Sequence, residues 1–340
     1  MKAIVHIGMP KTGSTALQEF LWVNRAALAR QGFLYQRFSP HQNQAELALA
    51  VRVRIGQRFP NKVFNAGLKV WSAESEKRRA AEVERDLEQA CRDHPGAVFV
   101  ASSELFSDPW SGHYFVNGVH RWFAERFSSI RYVLYLRSQD DWLESMYLEA
   151  LRSGEPATLG AFAAIAKRLD LDALVSRWER AAGAGNLDVR LYRRDVLTGG
   201  DIVRDFCAAI GVDHRGMAMP RPHLNARISR RHASLTATVN KAVSTVLPFT
   251  AARLNVATGV SGALRAVVPA GRERYAIPAE LRARLQAEFQ ASNEALRQRR
   301  FADLPSLFPA ADATAAAPSQ ITDEPSKRSA PDGERSVVHC

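Results

Sequence analysis

The sequence predicts an α/β fold, a three-layer α/β/α arrangement around a central, mostly parallel sheet. Three observations carry that prediction. Short β-branched apolar runs recur along the chain, each is followed by a stretch with helical periodicity, and 340 residues at 46% hydrophobic and 24% charged content can bury a sizeable core. Strands covered by helices on both faces read as continuous apolar runs rather than alternating ones.

Residues 3–9 (AIVHIGM) are the first such run. A loop of Pro, Lys, Thr and Gly follows, and residues 15–30 are expected to form one helix with Leu17, Phe20, Leu21, Ala27 and Leu28 on a single stripe. Residues 74–92 read as a charged helix with Ala81, Val83, Leu87 and Ala90 inward, stopped by Asp93-His94-Pro95-Gly96. Residues 97–101 (AVFVA) are a second strand leading into Ser102, Ser103 and Glu104. Residues 131–136 (RYVLYL) are a third, ending at Arg137, with a helix from Gln139 onward. Residues 187–192 (LDVRLY) are a fourth, and residues 200–210 a helix closed by Gly211. Residues 243–270 are apolar but broken by Pro248, Arg253 and Arg265, so packed helix and loop are expected there. Residues 278–300 form an amphipathic helix with Leu281, Leu285, Phe289 and Leu296 in register. One domain over residues 1–310 is expected, with a tail over 311–340 whose Ala, Pro, Ser and mixed charge predict disorder.

The formal charge is +11, from 46 basic and 35 acidic residues. That balance favours anionic partners. No basic stripe interleaved with aromatics occurs, so a nucleic-acid partner is not expected. Cys91, Cys207 and Cys340 lack zinc spacing and a disulfide framework, which suits a reducing compartment. The opening stretch does not read as a secretory signal and no long uncharged apolar run appears, so a cytoplasmic chain without a transmembrane segment is expected.

Two constellations carry chemistry. The first is Gly8-Met9-Pro10-Lys11-Thr12-Gly13-Ser14-Thr15, a glycine-bearing loop between a buried strand and a helix start. Free amides and the positive end of the helix dipole converge there, a cradle for phosphate. Gly8 and Gly13 have the Walker A separation, but Ser14 stands where a Walker loop has lysine, and Lys11 lies two residues before the second glycine. A lysine on the shoulder of the loop lies beside a single 5′-phosphate and whatever leaves from it. Thr12, Ser14 and Thr15 offer hydroxyls. The second is Arg137 at a strand end, where ligands bind in open α/β sheets, with Ser145 eight residues on in the adjoining helix. Together they can grip one phosphate from two sides. Taken singly, the first is also read as a tight strand-to-helix turn and the second as an ordinary strand-end ion pair.

PKTGST directly after the first strand resembles the 5′-phosphosulfate loop of the sulfotransferases that use 3′-phosphoadenosine 5′-phosphosulfate (PAPS), and HIGMPKTGSTALQ looks like their bacterial and glycan-modifying branch. YLRSQDDWLESMY is similar to the family's 3′-phosphate element. Trp178, Arg190, Tyr192, Phe206, Gly211 and Asn293 extend the resemblance over about residues 1–310. It implies a fold like that of P-loop nucleotide kinases and transfer of a sulfuryl group from PAPS to a hydroxyl or amine, without a metal. Saccharide or glycolipid acceptors are favoured. Lys11 would bind the 5′-phosphate and bridging oxygen, Thr12, Gly13, Ser14 and Thr15 the 5′-phosphate, and Arg137 and Ser145 the 3′-phosphate. Such a reaction needs a general base. Glu104, just past the second strand at the same sheet edge, is the first candidate, with His41 and His113 as rivals. His6 reads as a packing residue inside its strand. Residues 221–231 (RPHLNARISRR) read as a basic turn or as a cover for the nucleotide through Asn225 or Arg227. The rival class is a P-loop kinase, and a third is a binding module without catalysis.

Overall fold

Among the described residues, five strands form one sheet in the order β2-β3-β1-β4-β5, and every neighbouring pair is parallel. They are β1 (Lys2–His6), β2 (Phe33–Leu34), β3 (Val98–Ser102), β4 (Ser129–Leu136) and β5 (Leu187–Leu191). The computed structural model describes residues 1–38, 43–58, 67–107, 112–220, 228–247, 251–269, 271 and 273–309, without the side chains of 251 and 252. Met1–Leu307 is one compact unit; Phe308–Cys340 is a second, of which the tail from Ala311 lies outside the described residues.

The helices are α1 (Ser14–Val23), α2 (Arg25–Arg30), α3 (Ala45–Arg54), α4 (Ala73–Asp93), α5 (His113–Ala124), α6 (Gln139–Arg152), α7 (Leu159–Ala166), α8 (Leu171–Ala182), α9 (Ile202–Ile210), α10 (Arg230–Val246), α11 (Ala251–Val267) and α12 (Ala279–Arg300). The α/β layering follows from strand burial. Ile4, Val100, Val133 and Tyr135 face Leu17 and Phe20 of α1 and Phe206 of α9. The opposite side chains pack on aromatics: Phe99 stacks on Phe127 at 5.4 Å, and Tyr132 lies 5.0 Å from Trp178 of α8.

The expected helix over residues 15–30 is two helices. Asn24 breaks it, because its side-chain amide donates to Phe20 O at 2.9 Å and to Ala218 O at 2.8 Å, while its carbonyl accepts from Ala218 N at 2.9 Å. A tertiary contact thus overrides the local helical pattern. Residues 243–270, expected as helix and loop, contribute the end of α10 and all of α11.

Topology places a crevice. The chain leaves β1 through α1 and α2 toward β2, whereas it leaves β4 toward β5 on the other side. Connections that diverge from adjacent parallel strands open a cleft at the strand exits, here between β1 and β4.

His6, at the end of β1, is fully buried. Its Nδ1 lies 2.8 Å from Ser102 Oγ, and its ring meets Tyr135 and Phe206 edge-on. Burial lowers its pKa from 6.5 to about 3. Between those values the unfolded chain binds the extra proton, so the contribution to stability is whole above pH 6.5 and is lost toward pH 3. The slope is about 1.4 kcal/mol per pH unit. Nitrogen-15 spectra of the histidines should therefore show a neutral His6 ring at about pH 5; a His6 midpoint near 6.5 would contradict this burial.

Candidate functional site

Ile7 N still donates to Val133 O at 3.0 Å, so the chain leaves the sheet at Gly8. A Cβ at Gly8 would lie 2.6 Å from His6 Nε2, which excludes a side chain there. The Ser107 hydroxyl donates to Gly8 O and holds the start of the loop. Thr12 is completely buried and its hydroxyl donates to Met9 O at 2.6 Å, so it braces the loop from within. Lys11 takes a left-handed conformation, φ 68°, which costs an L-residue about 1 kcal/mol. Gly13, φ 81°, is the N-cap of α1; a Cβ there would stand 3.1 Å from Ile202 and 3.2 Å from Tyr192. No side chain caps α1 and no acidic residue stands in its first turn. Its leading amides therefore remain available to an anion, with the positive end of the helix dipole behind them. Ser14, mostly buried, and Thr15, exposed, open that helix.

Arg137 leaves β4 on the other side of the crevice. Its Nη1 donates to Lys11 O at 2.8 Å, and its guanidinium carbon stands 5.7 Å from the centre of the Tyr192 ring. Tyr192 follows β5 directly and its amide donates to Leu136 O at 2.7 Å, which fixes it beside Arg137. Lys11 Nζ reaches α6 and pairs with Glu149 Oε2 at 3.1 Å. Ser145 is one turn before Glu149 on the same face of that helix. The loop, Arg137 and the Ser145 face of α6 thus converge.

The first turns of α6 are clamped by α12. Arg282 donates to Asp140, to Asp141 Oδ1 at 3.0 Å and to Glu144 Oε2 at 3.1 Å. Asn293 and Gln139 exchange side-chain amide bonds at 3.0 and 3.2 Å. The carboxylates at the head of α6 are thereby paired with Arg282. Behind Gly13, burial alone would raise the carboxyl of Asp205, but donors from Arg190, the Thr198 amide and Tyr135 hold it below the usual range. That carboxylate links β4, β5 and α9.

Glu104 sits in a single 3-10 turn, Glu104–Phe106, after β3. Its carboxylate accepts from Gln18 Nε2 of α1 at 3.2 Å, and Ser103 N donates to His6 O at 3.0 Å, so this segment flanks the loop on the β3 side. His113 opens α5, exposed, and accepts from Arg180 Nη2 at 3.0 Å, in the last turn of α8 rather than at the loop. His41, Asn225 and Arg227 lie outside the described residues. Tyr192 as a wall of the crevice, Gln18 against Glu104 and Glu149 against Lys11 are absent from the sequence reading of the site. Tyr192 was detectable by position, since it follows a strand run as Arg137 does. Among the described residues no group of His, Cys, Asp and Glu could hold a metal ion.

The chain matches no known family model. Over 81 residues, 24% of the chain, it is 36% identical to an uncharacterized protein of Archaeoglobus fulgidus, and that stretch spans 22% of the relative's length. Its structure is similar to the crystal structure of a sulfotransferase from Alicyclobacillus acidocaldarius, at 14% identity and a TM-score of 0.48, over 88% of this chain and 95% of that one. Neither similarity assigns an activity to this chain.

Glu149 competes with any anion for the Lys11 ammonium. The pair is part-exposed, 26% for Lys11 and 49% for Glu149, and such pairs are worth up to about 1 kcal/mol. Glu149→Gln should therefore tighten binding of inorganic pyrophosphate, used as a probe anion, by up to about fivefold in calorimetry; weaker binding would show that Glu149 supports the site.

Proposed function

We propose that this chain moves a sulfuryl group from PAPS to a hydroxyl or amine of an acceptor, a saccharide or glycolipid by preference. The observation that carries the reading is the meeting of Lys11 and Arg137 across the β1/β4 crevice, through the 2.8 Å bond to the Lys11 carbonyl. Two cationic side chains from two strand exits suit an anion with phosphates at both ends.

In this reading the amides at the head of α1, with Gly13 and the Ser14 and Thr15 hydroxyls, receive the 5′-phosphate. Thr12 shapes that turn from inside. Arg137 and Ser145 receive the 3′-phosphate, the guanidinium by charge-assisted bonds. Lys11 leaves Glu149 and neutralises charge on the bridging oxygen. The acceptor oxygen or nitrogen bonds to sulfur while the bond from sulfur to the 5′-phosphate oxygen breaks. The acceptor proton passes to Glu104, whose carboxylate is oriented by Gln18, and adenosine 3′,5′-bisphosphate leaves. Ser14, in place of a Walker lysine, and the position of Lys11 before Gly13 weigh against a kinase, whose lysine must reach β and γ phosphates.

Calorimetry without magnesium should show binding of adenosine 3′,5′-bisphosphate. Arg137→Ala should weaken it roughly ten- to hundredfold, the range for bonds to charged groups. Lys11→Ala should lower sulfuryl transfer from labelled PAPS about a hundredfold or more. Intact turnover in that variant, or magnesium-ATP bound in place of the bisphosphate, overturns the assignment. Glu104→Gln should cut turnover about a hundredfold and leave nucleotide affinity unchanged; unaltered turnover would remove it as the base.

A further inference from the structure

The antiparallel pair α10 and α11 takes no part in the site above. It is seated on the far end of α6. Asn240 Nδ2 donates to Leu151 O at 2.8 Å and to Glu155 O at 3.0 Å, and Ser261 Oγ donates to Asn240 Oδ1 at 3.3 Å. Ala233, Thr236, Ala257 and Ser261 are buried between these elements.

The outer face of α11 is apolar. Val256, Val260, Ala263 and Val267 follow one another at helical spacing, and all four are exposed, Val267 at 75%. Val246, at 79%, and Leu247 continue the surface at the end of α10. Isolated exposed apolar side chains are ordinary, but a stripe along a whole helix marks a contact surface.

Charge says what kind of contact. Across the pair itself, residues 228–269 carry five Lys and Arg, of which Arg253 is buried, and no Asp or Glu, although the chain has 35 acidic residues. Arg230, Arg231 and Lys241 are exposed on the pair. An open groove of about 850 Å³ is lined by Arg230, Arg231, Ser234, Leu235, Val268 and Glu273. Glu273, the first carboxylate past the stretch, stands 3.9 Å from Arg230 with both side chains about four-fifths exposed, so it compensates little. His232 Nε2 donates to Val268 O at 2.8 Å, which brings the arginine end of α10 to the Val267 end of α11.

We propose that the α10–α11 pair docks on the surface of a bilayer containing anionic phospholipid. The valine stripe enters the boundary between headgroups and acyl chains, and the flanking cations meet the phosphates. α11, at 17 residues, lies on the bilayer, and no described helix is long and apolar enough to cross one. The inference rests on surface chemistry and is independent of the reaction proposed above.

The test is sedimentation of the full chain with vesicles of phosphatidylcholine, alone and with phosphatidylserine. Binding is expected only with phosphatidylserine and should fall steeply with added salt. Arg231→Gln should weaken it about fivefold. Val260→Asp and Val256→Asn should each weaken it about tenfold or more while the far-ultraviolet spectrum of the folded chain is kept. Absence of binding to the anionic vesicles, or equal salt-insensitive binding to both, overturns the proposal. A concentration-dependent dimer dispersed by Val260→Asp also overturns it, because the stripe would then belong to a second copy.

Discussion

The bond from Arg137 to the carbonyl of Lys11 joins two strand exits that the topology drives apart. Its chemistry matters as much as its position. A carbonyl anchors the guanidinium without cancelling its charge, whereas a carboxylate would have done both. Lys11 is treated oppositely, because Glu149 answers its ammonium directly. The crevice thus holds one cation fixed by the backbone and one held by a pair weak enough to exchange.

The surroundings keep that geometry stiff. Arg282 gathers three carboxylates of the first turns of α6, and Asp205 gathers donors from β4, β5 and the turn before α9. In both cases the carboxylates of low exposure, Asp140, Glu144 and Asp205, are paired, the condition under which buried charge is tolerated. Each cluster fixes an element that borders the crevice: α6 with Ser145, and β5 with Tyr192.

Much of this was legible in the sequence. β1, β3, β4 and β5 could be read because burial on both faces leaves continuous apolar runs, and Lys11, Gly13 and Arg137 because strand exits in a parallel sheet share one edge. β2 is two residues, Phe33 and Leu34, too short for any period to register. α3 was invisible for another reason: residues 45–52 are buried all round, so no polar face marks its turns. The break at Asn24 depends on Ala218, and the pairing of Lys11 with Glu149 joins residues far apart in the chain; contacts at such separation leave no local pattern. Thr12 was expected at the anion and instead points inward, since a side chain's direction in a tight loop follows from backbone angles that composition does not encode.

Beneath the loop, the imidazole of His6 and the bare α-carbon of Gly8 occupy one shared volume, and Nε2 of the ring has no hydrogen-bond partner among the described residues. Positions 6 and 8 therefore trade bulk. A methyl group can appear at the second only when the ring at the first gives way to something shorter, and the two must drift as a couple if the turn above them is to keep its shape.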